Sequence, residues 1–366
     1  MTTIKAFPSR RSIQHQLARW SVRASRPVLA AACGMALCGC SWFRSTVNDS
    51  PGLRWWLFSN FGAQQVCPKV LSSGTPLRMD ASGPIIGRFF PNSCQQRVDD
   101  ARQIMSLSFS GTGFAWTPIA GRVGFLASAT VEYRMDFRME SDALYVWGVP
   151  TGNVAVPPQF QIGAVENPVV NWAAQGPAGY LAATFGGQIL SSRLAEGFTA
   201  IRSDSGDEFT LGRLMPPQRP PKPYALSSDE RVALVNETAE IRIGQIDLAV
   251  PLEVSDDDQA LFVRARVNGP NIEAFLYPRY AVESWREALQ TGAPLAPPPI
   301  APTASFPIPA GAEVSQTIRA AKGSYILLFD HSSKIGQVNP PFNLLGAIGS
   351  GAATVSYAIE VGAAPD

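Results

Sequence analysis

Apolar and polar residues alternate with a period of two along much of this chain, a pattern typical of β-strands with one buried face. The clearest case is residues 131–140, where the apolar set Val131, Tyr133, Met135, Phe137 and Met139 interleaves with Glu132, Arg134, Asp136, Arg138 and Glu140. We expect the apolar set to face the core. The alternating charges then form a solvated sheet face that discourages edge-to-edge aggregation.

Helical periodicity is short and rare. Residues 52–58 predict a short aromatic helix, residues 188–196 predict a helix that ends at Gly197, and residues 282–289 predict a surface helix. The adjacent Trp55 and Trp56 have two interpretations: packing into the core, which we favour, or contact with a membrane interface, where amphipathic rings are stabilised.

Strand patterns dominate both halves of the chain. Residues 198–201 and 209–211, separated by a polar turn, predict a hairpin. The alternation in residues 241–250 changes phase at Gly244-Gln245, which predicts a bulge inside one long strand. Later strands are predicted at 261–267, 272–276, 314–318, 325–329 and 354–361. The fold class is therefore mostly β.

A proline-rich stretch divides the chain. Residues 216–223 hold two proline pairs and a fifth proline, Pro223, and such a stiff segment is excluded from a central strand. We predict a β-rich or α+β N-terminal domain at 52–215, a linker at 216–224 and a β-sandwich domain at 225–366.

The N-terminal segment has the composition of an export signal. A short apolar run at 28–37 follows several basic residues, and no acidic residue precedes Cys40. The run is too short to span a bilayer as a helix. It ends in Leu37-Cys38-Gly39-Cys40, which resembles the lipobox of bacterial lipoproteins. The resemblance implies a signal peptide at 1–39, a tether at 40–51, and diacylglycerol on Cys40, which would be the mature N-terminus.

Two alternatives to this signal remain open. One is an ordinary secretory signal cleaved nearby. The other is twin-arginine export, suggested by Ser9-Arg10-Arg11. If Cys40 is acylated, Ser41 follows it in place of the Asp that retains many lipoproteins at the inner membrane. We therefore expect the outer membrane of a bacterial envelope as the destination.

Removal of the signal changes the charge of the protein. The full chain has 30 basic and 29 acidic residues, and six of the basic residues lie before Cys40, so the mature chain carries a formal charge of −5. A mildly acidic protein has no broad basic surface for phosphates, which excludes nucleic acid as the expected partner.

The cysteines sort in the same way. Cys33 and Cys38 leave with the signal and Cys40 is the acylation site, so Cys67 and Cys94 remain in an oxidising compartment. We expect a disulfide between them, with two free buried thiols as the alternative. No Cys-x-x-Cys motif is present, so a thioredoxin-like site and a cysteine-based zinc site are not predicted.

The sequence offers few histidines for catalysis or metal binding. His331 is the one histidine beyond the signal, and it lies in Asp330-His331-Ser332. Neighbouring residues on a strand point to opposite faces, so we expect a strand-end turn rather than a catalytic triad. No G-x-S-x-G motif is present, and one imidazole cannot make a zinc triad.

Acidic clusters are the remaining candidates for chemistry. Paired carboxylates could serve a glycosidase at Asp99-Asp100, Asp207-Glu208 or Asp256-Asp257-Asp258, although each pattern is that of a solvated turn. The loops at 253–258 and 204–208 could supply oxygen ligands for calcium, with Asp256, Asp257 and Asp258 as weak candidates. No cofactor is predicted.

The end of the chain carries a second resemblance. Residues 323–332, GSYILLFDHS, and residues 355–361, VSYAIEV, resemble the closing two strands of GOLD-type β-sandwiches. Those domains end in a G-Y-apolar-Phe-Asp-Asn-Ser segment followed by V-x-Y-x-apolar. Here His331 replaces the Asn, and a long loop separates the two strands. The resemblance implies an interaction or adaptor domain rather than an enzyme.

Together these features predict a non-enzymatic, lipid-anchored envelope protein that binds a protein, a glycan or another envelope component. A carrier of a lipid or another amphiphile is the alternative. In that case Phe114, Trp116, Phe125, Tyr133, Phe137 and Trp147 would line a cavity. A carboxylate-based hydrolase is the third hypothesis.

Overall fold

The structure is a computed structural model. It describes residues 41–72, 74–78, 83–117, 121–152, 156–165, 195–203, 206–220, 222–225, 231–249, 251–338 and 351–365. Residues 41–49 are helical and belong to a first compact unit that ends at Pro51. Residues 52–366 form a second compact unit, which contains all the strands described below.

The second unit is mostly β, as the alternation predicts. Its strands are β1 (Thr75–Arg78), β2 (Ile85–Asp99), β3 (Ile104–Thr117), β4 (Gly121–Met139), β5 (Ala143–Pro150), β6 (Val156–Val165), β7 (Phe198–Ser203), β8 (Gly206–Leu211), β9 (Val232–Arg242), β10 (Gln245–Leu248), β11 (Leu252–Val254), β12 (Gln259–Asn268), β13 (Ile272–Pro278), β14 (Ala304–Ile308), β15 (Glu313–Arg319), β16 (Gly323–His331) and β17 (Ala352–Ala363).

These strands form two sheets. The larger has twelve strands, in the order β15-β12-β17-β9-β2-β3-β4-β5-β7-β8, with β1 paired to β2 and β6 paired to β4. The smaller has five, in the order β10-β16-β13-β14, with β11 paired to β16. The pairings are antiparallel except that of β2 with β9, where Ile85 meets Ala239 in parallel. Through this pairing the large sheet continues from the first half of the chain into the second.

The second half forms a β-sandwich. Strands β9, β12, β15 and β17 of the large sheet face the small sheet across one apolar core. Residues buried in that core include Ile241, Leu261, Leu327, Phe329 and Tyr357. The rings of Phe329 and Tyr357, from opposite sheets, lie 4.6 Å apart between centroids. The two segments that resemble a GOLD-type ending are therefore strands of different sheets.

The small sheet is buried on its other face as well. Phe90 of β2 and Phe114 of β3 pack there with Leu328 of β16. The helix Arg279–Thr291 covers the same face through Val282 and Leu289. Gly124 of β4 allows this helix to come close, because a Cβ atom at Gly124 would lie 2.2 Å from the backbone oxygen of Gln290. The predicted linker at 216–224 thus lies within one compact unit, whose two halves share this apolar cluster.

Several sequence predictions can now be compared with the structure. The strand at 131–139 and the hairpin of residues 198–211 are present, and the helix predicted at 282–289 extends over Arg279–Thr291. The predicted helix at 188–196 lies almost wholly outside the described residues. The predicted bulge at Gly244-Gln245 is wrong. Gly244, with a φ of 80°, forms a turn at which the chain passes from β9 in one sheet to β10 in the other.

Candidate functional site

A helical arm at the start of the second unit is the first candidate site. It consists of the helix Pro51–Leu57, a π-helical turn Phe58–Gly62 and the helix Ala63–Ser72. Within the second unit its inner side buries Trp55, Phe58, Ala63 and Cys67. The rings of Trp55 and Phe58 pack 5.9 Å apart between centroids. We call the segment 52–72 the helical arm.

Three side-chain links hold the arm against the large sheet. The first link joins Cys67 of the arm to Cys94 of β2. Their sulfurs lie 2.00 Å apart and their Cα atoms 5.4 Å apart, so the pair is able to form the predicted disulfide. Arg54 donates from Nε to Oδ1 of Asp136 at 2.6 Å and from Nη2 to Oδ2 at 3.3 Å. Each link joins the arm to a different strand or loop, and together they fix its orientation.

The third link involves the tryptophan pair. Trp55 is 8% exposed, and its Nε1 donates to Oδ1 of Asp100 at 2.9 Å. Trp56 is 53% exposed and lies edge-on to Phe61, itself 64% exposed, with ring centroids 5.7 Å apart. The favoured interpretation, packing into the core, is confirmed for Trp55, whereas Trp56 is turned toward solvent.

The proposed acylation site, Cys40, lies outside the described residues. Among the helices of the described segments, none combines the length and the apolar character that crossing a bilayer requires.

A buried ion cluster at the junction of the two halves is the second candidate site. Arg88 of β2 is fully buried, and donates from Nε and Nη2 to the two carboxylate oxygens of Asp247 at 2.8 and 2.9 Å. Its Nη2 also donates to Oε1 of Glu237 at 2.6 Å and to the hydroxyl of Tyr357 at 2.8 Å. The Tyr357 hydroxyl in turn donates to Glu237. We call these four residues the Arg88 cluster.

The cluster places two carboxylates around one guanidinium. Burial by itself would lower the pKa of Arg88, but the charges of Asp247 and Glu237 outweigh burial and hold that pKa well above its usual value. Burial also raises the pKa of the Tyr357 phenol. Arg88 therefore stays a cation and Tyr357 stays a neutral donor. Asp247 is buried, Glu237 is half-buried, and both carboxylates pair with the guanidinium, so the arrangement suits a structural tie.

The segment Asp330-His331-Ser332 is also buried, and its three side chains do not all contact one another. Ser332 donates from Oγ to Oδ1 of Asp330 at 2.6 Å. The imidazole Nδ1 of His331 lies 2.9 Å from the backbone oxygen of Ile241 instead. Burial raises the pKa of Asp330 to about 6 and lowers the pKa of His331. The expectation that the three residues do not converge holds for His331, whereas Asp330 and Ser332 do meet in a local turn.

The other acidic candidates are engaged or scattered. Asp99 pairs with Arg102 at 2.7 Å, and Glu208 pairs with Lys222 at 2.7 Å and with Arg219 at 3.0 Å. Asp256, Asp257 and Asp258 are exposed, and Oδ1 of Asp257 accepts the backbone N–H of Lys322. Across the described segments, no group of three His, Cys, Asp or Glu side chains is arranged to hold a metal ion.

The aromatic residues of the carrier hypothesis do not share one site. Phe114 packs with the small sheet, Phe125 packs against Phe89, and Trp147 packs with Tyr145 and Ile201. Trp116 lies under the guanidinium of Arg242, with Cζ 4.0 Å from the ring centroid. A recess beside Trp116 encloses about 10 Å³, which is room for one water molecule.

The Arg88 cluster was not predicted from the sequence. The signal that could have found it is a lone arginine inside the apolar run IIGRFFP, at positions 85–91. A charge in such a run needs a buried partner, since an unpaired buried charge is costly. The run does not indicate which carboxylates complete the cluster, because Glu237 and Asp247 follow about 150 residues later.

Comparison with known proteins adds little to this picture. No family model and no curated protein matches the chain. One similar solved structure is a glycoside hydrolase family 43 arabinoxylan arabinofuranohydrolase from Bacillus subtilis in complex with cellotetraose. It has 9% identity and a TM-score of 0.21, over 79% of this chain and 69% of that one. Another is the infectious bursal disease virus Gx strain, with 10% identity and a TM-score of 0.19, over 78% and 74% of the two chains. Similarity this low carries no functional argument.

Proposed function

We propose that this protein is a non-enzymatic, lipid-anchored module of a bacterial envelope, tethered through Cys40 and serving as a binding or structural component at the outer membrane. The observation that carries the proposal is the helical arm. The arm, which begins twelve residues after Cys40, is fastened to the large sheet by Arg54–Asp136, Trp55–Asp100 and the Cys67–Cys94 pair.

The attachment of the arm suits an anchored protein for a mechanical reason. A lipid on Cys40 transmits force and orientation through the residues that follow it. A floppy connection would let the β-rich unit rotate freely, whereas three links to separate places on the sheet fix the unit relative to the arm. The disulfide-capable pair also matches an oxidising compartment outside the cytoplasm.

The non-enzymatic part of the proposal is supported by how the polar interior is used. Asp247 and Glu237 neutralise Arg88, and Asp330 accepts hydrogen bonds from Ser332 and Gly336. In the described part of the chain, the buried carboxylates named here serve as partners of the fold itself. A binding role on a rigid β-rich surface is the simplest function for this arrangement.

Metabolic labelling tests the anchor. We expect radioactive palmitate to label the full-length protein expressed in a Gram-negative host and the label to sediment with outer-membrane vesicles. Cys40→Ser should abolish the label, whereas Cys38→Ser should retain it, because Cys38 only needs to be small in a lipobox. An unlabelled wild-type protein, or label that survives Cys40→Ser, would contradict the proposal.

A further inference from the structure

We propose that Trp56 and Phe61 form a membrane-contact patch that seats the arm in the headgroup region of a phospholipid bilayer. The inference rests on the proposed function, since it takes the bilayer to be the one that holds Cys40. It goes further by assigning a site, two residues and an occupant.

The geometry of the pair is that of an exposed aromatic patch. The two rings touch edge-to-face at 5.7 Å and remain 53% and 64% exposed, whereas Trp55 and Phe58 of the same arm are buried. Two contacting aromatic rings left in water cost free energy that burial against a partner would recover. Tryptophan in particular is favoured where one part of the ring is apolar and its N–H is wet.

The π-helical turn keeps this patch and the buried face in phase. In a regular α-helix, residues five apart point about 140° away from each other. Here the backbone N–H of Ala63 bonds to the oxygen of Phe58, five residues earlier, and the turn absorbs one extra residue. Phe58 and Ala63 therefore both lie on the buried side of the arm, and Trp56 and Phe61 both lie on its exposed side. Such turns are frequent at functional sites.

The position of the patch along the chain identifies its occupant. Trp56 is only sixteen residues after Cys40, and even a fully extended chain of that length spans at most about 56 Å. The tether therefore keeps the patch within that distance of the bilayer that holds the lipid.

The charge of the arm fits the same occupant. Residues 51–72 contain Arg54 and Lys69 and no Asp or Glu. The arm therefore adds no negative charge of its own toward anionic headgroups, and the nearby Asp136 is paired with Arg54. The lipid on Cys40 supplies most of the affinity, and the patch adds a weaker contact of its own. Two contacts at different points also define an angle that one tether does not.

Vesicle partitioning tests the patch apart from the anchor. The unacylated chain from Ser41 onward is mixed with vesicles of phosphatidylethanolamine and phosphatidylglycerol and sedimented. We expect Trp56→Ser with Phe61→Ser to lower the partition coefficient about tenfold, which corresponds to ~1.4 kcal/mol. The matched control is Tyr280→Ser, which removes a 75% exposed aromatic ring from the surface helix, and it should leave partitioning unchanged.

The outcomes are distinct. Unchanged partitioning of the double variant, or no partitioning of the wild-type chain, overturns the patch. Both substitutions lie on the surface, so an unaltered melting temperature shows that the variant has folded. A photo-crosslinking residue at position 56 of the acylated protein, irradiated in its native envelope, should yield lipid adducts. Protein adducts alone would overturn the bilayer as the occupant.

The patch and the proposed function also fail separately. If palmitate does not label Cys40 but the chain still partitions through Trp56 and Phe61, the anchor is wrong and the patch stands. If Cys40 is labelled and the double variant partitions like the wild type, the anchor stands and the patch is wrong.

Discussion

Two ties hold distant parts of this chain together, and they differ in where they lie. The Arg88 cluster sits in the dry interior and joins β2 to β9, β10 and β17, with Arg88 fully buried. The helical arm is tied from outside, through a partly exposed ion pair at Arg54–Asp136, a hydrogen bond at Trp55–Asp100 and the Cys67–Cys94 pair.

The difference teaches which tie can be weakened without unfolding the protein. Removing one partner from a buried ion cluster leaves uncompensated charge in a medium that cannot solvate it. The links of the arm have access to water, so each can be lost while the others hold. The interior tie should therefore act on global stability, and the exterior tie on local opening of the arm.

The largest expected effect is that of Arg88→Met. It leaves Asp247 buried and Glu237 half-buried without the guanidinium that pairs with them, and we expect a loss of roughly 3–5 kcal/mol in the free energy of unfolding. Urea denaturation monitored by circular dichroism measures this loss. Arg138→Met is the matched control, since Arg138 is 53% exposed where it pairs with Glu140, and it should cost less than about 0.5 kcal/mol. Equal losses in the two variants would erase the distinction between interior and exterior ties.

The next effect is that of the cysteine pair. Replacing both Cys67 and Cys94 with Ser opens a loop with a sequence separation of 27. The chain-entropy model predicts that this lowers the free energy of unfolding by about 3–4 kcal/mol. Limited proteolysis should show the arm cleaved first, with the β-rich core surviving. Reductant should reproduce this result in the wild type and change nothing in the double variant. Resistance of the reduced wild type would mean that the other two links suffice.

A pH effect of up to about 3 kcal/mol is expected from Asp330. Its pKa in the folded protein is about 6, raised from 3.8 by burial, so the folded state binds the proton more tightly than the unfolded state does. The resulting stabilisation is complete below about pH 4 and is lost as the pH rises through 6. Unfolding free energies from pH 4 to 7 should fall for the wild type relative to Asp330→Asn. Parallel pH curves would contradict the raised pKa.

The smallest effect is expected for Arg54→Gln. It removes the ion pair with Asp136, which is partly exposed, so we expect about 1 kcal/mol or less. Hydrogen exchange should report faster opening of residues 52–72 with little change in the core strands. Added salt should reproduce part of the effect in the wild type and none of it in the variant. A global loss of stability would show that the arm belongs to the folding core.

The sequence predicts individual strands well where one face is solvated. In β4, Val131, Tyr133, Met135 and Phe137 are buried and the charged residues between them are not, as the alternation indicates. Phe198–Ser203 and Gly206–Leu211 pair as the predicted hairpin. In these segments the local pattern is enough to predict the strand and its buried face, because successive side chains point alternately toward the core and toward solvent.

The sequence predicts less where both faces are buried. From Tyr325 to His331 every residue of β16 is buried, because one face meets the sandwich core and the other meets Phe90, Phe114 and the surface helix. A continuous apolar run does not say what lies on either side of it. The linker predicted at 216–224 is a similar case. Composition identifies a proline-rich segment there, but it does not indicate that strands before and after this segment belong to the same large sheet.

The sequence by itself determined the mostly-β class, the alternating faces of strands such as β4 and the position of the lipobox-like segment, because each is written in neighbouring residues. Only the tertiary structure decided that Gly244 is a crossing between sheets, that Trp55 is buried while Trp56 is exposed, and that Arg88 meets Asp247, Glu237 and Tyr357. Those outcomes depend on residues up to 269 positions apart in the chain, and no local pattern contains such a contact.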